Sequence, residues 1–382
     1  MRRTLLLCAL VAVGCGPSAK RAEMPKLPPA KPEAVEALKD AARLVRLGPG
    51  NQERALERLK VALEIDPGLW EAWYDAGWIE LNRHHTDEAI AALEKAQAIL
   101  PTHAPTAQAL AQAYVQAGRA ADAVKTLCAY LDKQPNAKEA NAVRVQLATA
   151  QRRNNKLDEA TETLRQVLRS EPRSAPALSA LGMVYEARGQ HELADLVLHR
   201  ALDIDKESKA AADVYNNLGL VALARRRDQE AFADFDSATR VDPSLTVARR
   251  NKAMVYLDCG DYAKAADELH AVTHADPTDV QAWNALGVAE RGQGKYDAAQ
   301  KAYEKALAAE PTGPGAADAL FNLAVLHMDF KKEPAKARAR LDEYLKVAGA
   351  GHPRRADAEA RARELAKQAP AAPQSKPEAS GS

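Results

Sequence analysis

Proline recurs along this chain at a nearly constant interval, which constrains the fold more than any other feature. Seven prolines share the pattern, and most of them lie 34 residues from the next: Pro67, Pro101, Pro135, Pro172, Pro243, Pro277 and Pro311. Because proline cannot continue a helix interior, each one is expected to mark a break between helices. The interval predicts stacked helix pairs rather than the two or three globular domains that 382 residues would otherwise suggest.

Small residues recur at fixed distances from these prolines. An alanine precedes each proline by twelve residues: Ala55, Ala89, Ala123, Ala160, Ala231, Ala265 and Ala299. A Leu-Gly pair often lies a further twelve residues upstream, as in Leu218-Gly219 and Leu286-Gly287. Small side chains at regular intervals let two helices approach closely, and alanine is the best helix former. The pattern therefore predicts an all-α fold.

This pattern resembles the tetratricopeptide repeat (TPR), a helix–turn–helix unit of about 34 residues. The segment from Trp283 to Pro311 carries the resemblance most completely, with Leu286-Gly287 and Ala299 between them. The resemblance implies a right-handed superhelical solenoid in which the first helix of each repeat lines a concave groove. Nine repeats are expected, beginning near Glu36, Trp70, Ala104, Asn141, Ala175, Ala212, Thr246, Val280 and Ala316.

The repeat array is expected to occupy residues 36–350, followed by a capping helix at 351–368 and a disordered tail at 369–382. Two units depart from the pattern. The fifth carries Lys206 where proline is expected, and the ninth has an extra loop residue around Glu333-Pro334.

The first residues predict an exported lipoprotein. Arg2 and Arg3 precede an apolar run at residues 5–13, which suits a signal peptide and is too short to span a membrane. Residues 12–15, Ala-Val-Gly-Cys, resemble the lipobox of bacterial lipoproteins. We therefore expect residues 1–14 to be removed and Cys15 to carry acyl chains such as palmitate. An ordinary cleaved signal with an incidental cysteine is the alternative.

The segment after the signal predicts a tether at the outer membrane. Residues 15–35 are rich in Pro, Lys and Ala, a composition that favours an extended chain without a core. Gly16, rather than Asp, follows Cys15. By resemblance to Gram-negative lipoproteins, this residue implies sorting to the outer membrane, and we expect the repeats to lie on its periplasmic face.

Charge and motif content argue against nucleic-acid binding and catalysis. The chain has 53 Lys+Arg against 52 Asp+Glu, so it lacks the basic excess of nucleic-acid-binding proteins. His270 and His274 have helical spacing but lack the internal Glu of a metalloprotease motif. Cys128 and Cys259 fall in separate repeats and are interpreted as small packing residues. We predict a protein that is not an enzyme and uses no cofactor, metal or small-molecule substrate.

The predicted binding surface is the groove of the repeat array. Carried over from the family, the columns beside the packing residues define a partner-binding set: Tyr74, Trp78, Leu81, Asn217, Leu220, Arg250, Asn251, Met254, Asn284 and Arg291. Apolar residues with a polar rim are typical of a protein interface. The alternative is that these residues pack only against the next repeat. Tyr74 and Trp78 are the most specific pair, because aromatic residues often anchor interfaces.

These features together predict a membrane-anchored scaffold that binds other envelope proteins. The layout of a lipobox followed by many repeats is similar to that of the TPR lipoproteins of bacterial gliding motility, which implies a role in an envelope-spanning motility machine. Two alternatives stay open from the sequence. One is a pilotin that assembles the secretin of a type IV pilus, and the other is an activator of cell-wall synthesis enzymes.

Overall fold

The computed structural model describes residues 27–368, and the regular secondary structure of this part of the chain is helical. It contains nineteen α-helices: α1 Pro32–Arg46, α2 Gln52–Ile65, α3 Trp70–Asn82, α4 Thr86–Ile99, α5 Ala104–Gln116, α6 Ala120–Lys133, α7 Ala140–Arg153, α8 Leu157–Ser170, α9 Ala175–Ala187, α10 His191–Ile204, α11 Lys209–Ala224, α12 Asp228–Val241, α13 Thr246–Asp258, α14 Tyr262–Ala275, α15 Val280–Gly292, α16 Tyr296–Ala309, α17 Pro314–Val325, α18 Pro334–Val347 and α19 Arg355–Gln368. The predicted signal peptide, Cys15 and the predicted tail lie outside the described residues.

The helices form nine consecutive antiparallel pairs, from α1–α2 to α17–α18, and α19 packs on α18. Within each of the two units described next, this arrangement confirms the predicted all-α solenoid of stacked helix pairs, with five pairs in the first unit and four pairs and a final helix in the second. The chain divides into two compact units, residues 1–206 and residues 207–382, whose described helices are α1–α10 and α11–α19. The division coincides with the break in the proline pattern at Lys206.

Three first helices begin earlier than the predicted repeats. Helix α1 begins at Pro32 rather than near Glu36, because proline is well suited to the first turn of a helix. Ala34 is fully buried, so the predicted tether boundary at residue 35 is too late. Helix α11 begins at Lys209 and is lengthened to 16 residues by the extra residues before its repeat. Helix α17 begins at Pro314 and has 12 residues.

The recurring small residues lie where paired helices touch. Ala55, Ala89 and Ala123 are fully buried. A Cβ atom on Gly77 would lie 2.5 Å from the side chain of Leu93, and one on Gly219 would lie 2.5 Å from Phe235. Glycine at this position therefore lets the second helix place a large side chain directly against the backbone of the first helix.

The ninth repeat accommodates its extra residue inside a helix. Residues Leu326–Phe330 form a π-helical turn at the end of α17, which is how a single inserted residue is commonly absorbed. His327 in this turn is buried, and its Nδ1 lies 2.7 Å from Glu333 Oε2. Within residues 27–368, no helix is both long enough and apolar enough to cross a membrane.

Candidate protein-binding surface

The predicted groove residues all lie on first helices of their pairs. Three are on α3, two on α11, three on α13 and two on α15. In the first unit, α3, α5, α7 and α9 contact one another in succession, and in the second unit α13, α15 and α17 do the same. Each unit therefore has its own surface of adjacent first helices, and the predicted residues divide between these two surfaces.

Two of the predicted apolar residues belong to the core rather than to a binding surface. Leu81 is only 4% exposed and packs with Ala89 and Leu93, so its prediction as a groove residue is wrong. It lies near the end of α3, in a buried cluster that also contains residues of α4 and α5. Leu220 is half-buried and packs against the cluster around Phe235.

Three predicted polar residues connect neighbouring repeats of the second unit. The Arg250 guanidinium lies 2.6 Å from Asp279 Oδ2. Asn251 Nδ2 donates to Asn216 Oδ1 at 2.8 Å. Asn284 Nδ2 donates to the carbonyl oxygen of Gly315 at 3.0 Å. Because buried polar groups need partners, these side chains stabilise the stacking of repeats, as the alternative interpretation proposed.

The remaining predicted residues of the second unit differ in exposure. Met254 is 42% exposed on α13. The Arg291 guanidinium lies 5.5 Å from the ring centroid of Phe330, so the chain already supplies it with a cation–π partner. Asn217 is half-buried and engaged in an interaction within the chain. Met254 is thus the most accessible predicted anchor of this unit.

Helix α3 of the first unit presents a different surface, which we call the α3 patch: Glu71, Tyr74, Asp75 and Trp78. At 3.6 residues per turn, these four side chains fall within an arc of about 100° on one face of the helix. Trp78 is 44% exposed, whereas Glu71, Tyr74 and Asp75 are partly buried. The patch therefore combines an accessible indole with two carboxylates placed one and two turns before it.

The two carboxylates of the α3 patch have no cation beside them. Among the described residues, the side-chain carboxylates of Glu71 and Asp75 make no hydrogen bond and no ion pair. Burial, and then the negative charge of Glu71, raise the pKa of Asp75 to about 6. Burial and the charge of Asp75 also raise the pKa of Tyr74. Placing two acidic groups one turn apart without a base is unfavourable in the isolated chain.

The other tryptophans of α3 have partners within the chain, in agreement with the prediction that they pack between repeats. Trp73 Nε1 donates to the carbonyl oxygen of Pro67 at 2.9 Å, and Lys95 Nζ lies 4.0 Å from the centroid of a Trp73 ring. Trp70 lies 4.5 Å, centroid to centroid, from the imidazole of His103. In the described part of the chain, Trp78 has no such ring contact or cation.

Tyr74 is held in place by its neighbour on α5. Its ring meets the imidazole of His103 edge-on, with centroids 5.4 Å apart. Tyr74 therefore forms a rigid wall of the α3 patch, while Trp78 is its accessible element. The repeat pattern predicts these two aromatic residues as site residues but does not predict Glu71 and Asp75. The signal that would have found them is acidic residues at i,i+4 spacing on a groove-facing helix, with no base at the same spacing.

The histidine pair considered as a metal motif does not assemble a metal site. His270 is exposed, and its Nε2 lies 3.0 Å from Glu290 Oε1. Across residues 27–368, no three His, Cys, Asp or Glu side chains gather as they would around a metal ion.

Comparison with known families agrees with this geometry. Family models described as tetratricopeptide repeat match residues 80–147, residues 145–209 with 250–293, and residues 279–350, which together make up more than half of the chain. The chain is a tetratricopeptide-repeat protein. Proteins of this class are protein–protein interaction scaffolds, whose stacked repeats offer extended binding surfaces.

Curated relatives share the repeats over only part of their own length. The TPR chain is 32% identical over 109 residues to the heat-shock protein cognate co-chaperone sgt12 of Aspergillus fumigatus, covering 28% of this chain and 31% of that protein. It is 25% identical over 300 residues to the human protein O-mannosyl-transferase TMTC3, covering 78% and 30%. The chain thus spans about a third of the length of these relatives.

Solved structures show the same fold at low sequence identity. The Cut9-Hcn1 structure of the APC/C matches with a TM-score of 0.54 and 17% identity, covering 82% of this chain and 59% of that one. The PilF structure of Pseudomonas aeruginosa matches with a TM-score of 0.50 and 20% identity, covering 60% and 98%. At these identities the likeness is one of TPR architecture alone.

Proposed function

We propose that this TPR protein is a membrane-tethered scaffold that captures a segment of another envelope protein on the α3 patch. The observation that carries the proposal is Trp78, a large aromatic residue that is 44% exposed on a helix whose other two tryptophans are engaged within the chain. Exposed aromatic residues held by rigid elements are typical anchors of protein interfaces.

The tethering half of the proposal is supported by the sequence of the first 35 residues. A lipid on Cys15 would hold the chain at the outer membrane, and the Pro-rich segment after it would give the repeats reach. Several acyl chains anchor firmly because each buried methylene contributes about 0.8 kcal/mol. On this proposal the lipid sets the location, while the repeat surface selects the partner.

Binding through Trp78 is tested by crosslinked pull-down from cells that express the full-length chain. We expect Trp78→Ala to weaken partner capture by about 2 kcal/mol, or roughly thirtyfold, while helicity stays unchanged. Leu196→Ala is the matched control, because Leu196 is a 65% exposed apolar residue on the second helix α10. Equal capture by wild type and Trp78→Ala would remove the α3 patch from the binding surface.

We further propose that the partner belongs to a gliding-motility machine, on the basis of the lipobox-and-repeat layout. A deletion strain should then lose single-cell gliding. Normal gliding together with loss of secretin multimers would instead favour the pilotin alternative, which the layout also allows. Altered cell-wall synthesis with both functions intact would favour the third alternative. The genes beside this one offer an independent check, since each machine has different components.

A further inference from the structure

We propose that the α3 patch recognises a lysine- or arginine-bearing segment of the partner protein, with the cation placed between Asp75 and the face of Trp78. This inference rests on the proposed function, because it names the chemistry of the segment captured there. It is carried by two groups on α3 that lack internal partners: a pair of carboxylates and an exposed indole.

The two carboxylates of the α3 patch indicate that the bound segment carries a positive charge. Glu71 and Asp75 lie one turn apart, and among the described residues no lysine or arginine pairs with either. Elsewhere on α3, the partly buried carboxylate of Glu80 has a base beside it, Arg83 at 3.5 Å. An incoming cation would relieve the repulsion between Glu71 and Asp75, whereas an acidic segment would add to it.

The aromatic rings of the first unit point to the same ligand. Lys95 Nζ lies 4.0 Å from the centroid of a Trp73 ring, and the Arg119 guanidinium lies 4.6 Å from that of Tyr114. Trp78 is the more exposed indole on α3 and has no cation over it in the described part of the chain. Tryptophan is the best cation–π partner among the aromatic side chains.

The spacing suits one cation flanked by apolar residues. Asp75 and Trp78 are about one helical turn apart, roughly 5 Å along the axis, so one guanidinium or ammonium group can contact both side chains. Glu71 lies a further turn away and can receive a second base. The Tyr74 ring, held by His103, offers an apolar wall for the neighbouring residue of the segment.

The test measures the binding of a peptide to the full-length chain, with fluorescence anisotropy at fixed ionic strength as the readout. The probe is a short labelled peptide in which Lys alternates with Leu, and the comparison peptides replace Lys by Glu or by Ser. We expect Glu71→Gln with Asp75→Asn to weaken binding of the Lys peptide about tenfold or more. The Ser and Glu peptides should bind the wild type weakly and respond little to this double variant.

A matched double variant separates local recognition from general charge attraction. Glu57→Gln with Asp132→Asn removes the same charge from exposed positions on α2 and α6. We expect this control to change the affinity by less than about twofold. If both double variants weaken binding equally, or if the Glu peptide binds as tightly as the Lys peptide, the inference is wrong.

Two further outcomes keep the proposals distinguishable. If Trp78→Ala abolishes partner capture from cells but Glu71→Gln with Asp75→Asn leaves it intact, the binding surface stands and the cationic ligand is refuted. The chain itself offers a rival ligand, since residues 16–26 include Lys20, Arg21 and Lys26. If deletion of residues 16–26 tightens binding of the Lys peptide, the patch is occupied by this segment, which would overturn recognition of a partner.

Discussion

Replacing Asp75 by Asn should stabilise this protein at neutral and alkaline pH. Burial and the neighbouring Glu71 raise the pKa of Asp75 from 3.8 to about 6, so the folded chain disfavours the ionised carboxylate. At about 1.36 kcal/mol per pKa unit, this rise corresponds to roughly 3 kcal/mol. Asp75 is partly exposed, and solvent screening reduces the penalty, so we expect a gain of about 1 to 2 kcal/mol at pH 8.

The raised pKa of Asp75 also predicts how the stabilisation by Asp75→Asn depends on pH. A carboxyl whose pKa is raised by folding favours the folded state fully below its unfolded pKa, near pH 4. That contribution is lost as the pH rises through about 6, the pKa of Asp75 in the fold. Asparagine does not titrate, so the difference in stability between Asp75→Asn and the wild type should shrink from pH 8 to pH 4.

Urea denaturation, monitored by far-UV circular dichroism at pH 8 and at pH 4, measures the stability gain and its dependence on pH. Asp132→Asn, at an exposed position on α6, is the control and should change stability by less than about 0.5 kcal/mol at either pH. Destabilisation by Asp75→Asn at pH 8 would refute the reasoning. A gain of equal size at both pH values would point to helix propensity rather than to charge.

Three other predictions test the fold and the anchor. Gly287→Ala should destabilise the protein by about 2 kcal/mol, because its Cβ would overlap the ring of Tyr303, and a lowered midpoint in urea would be the evidence; an unchanged midpoint would mean that the ring moves freely. Arg226→Gly should raise the free energy of unfolding by about 0.5 to 1 kcal/mol, because Arg226 has φ of +58°, which glycine adopts more easily. A slightly higher melting temperature is the expected result, and a lower one would contradict this. Cys15→Ala should release the chain from the membrane fraction, and globomycin should block maturation of the wild type; a wild type that is already soluble would exclude lipidation.

The α3 patch illustrates what could be predicted and what could not. Tyr74 and Trp78 were identified because aromatic residues in a groove column stand out in any alignment of the repeats. Leu81 occupies an equivalent column yet is buried, since its exposure depends on the helices that pack over the end of α3. The raised pKa of Asp75 likewise depends on burial, and no repeat pattern reports burial at a polar position.

The polar residues of α13 and α15 also have roles that a single repeat does not predict. Arg250, Asn251 and Asn284 look like ligand-binding groups when each repeat is read alone. In the structure they pair with Asp279, Asn216 and the backbone of Gly315, which belong to neighbouring repeats. Their role depends on how successive repeats stack, and stacking brings together residues about one repeat apart in the chain.

The helical period, the number of helix pairs and the positions of the breaks can be predicted from the repeat pattern, because these follow from local rules. Proline ends helices, small residues permit close approach, and both act over a single repeat. Stacking of the repeats selects which first-helix side chains face solvent and which are already paired. That choice depends on contacts between repeats, and it leaves Glu71, Asp75 and Trp78 without internal partners among the described residues.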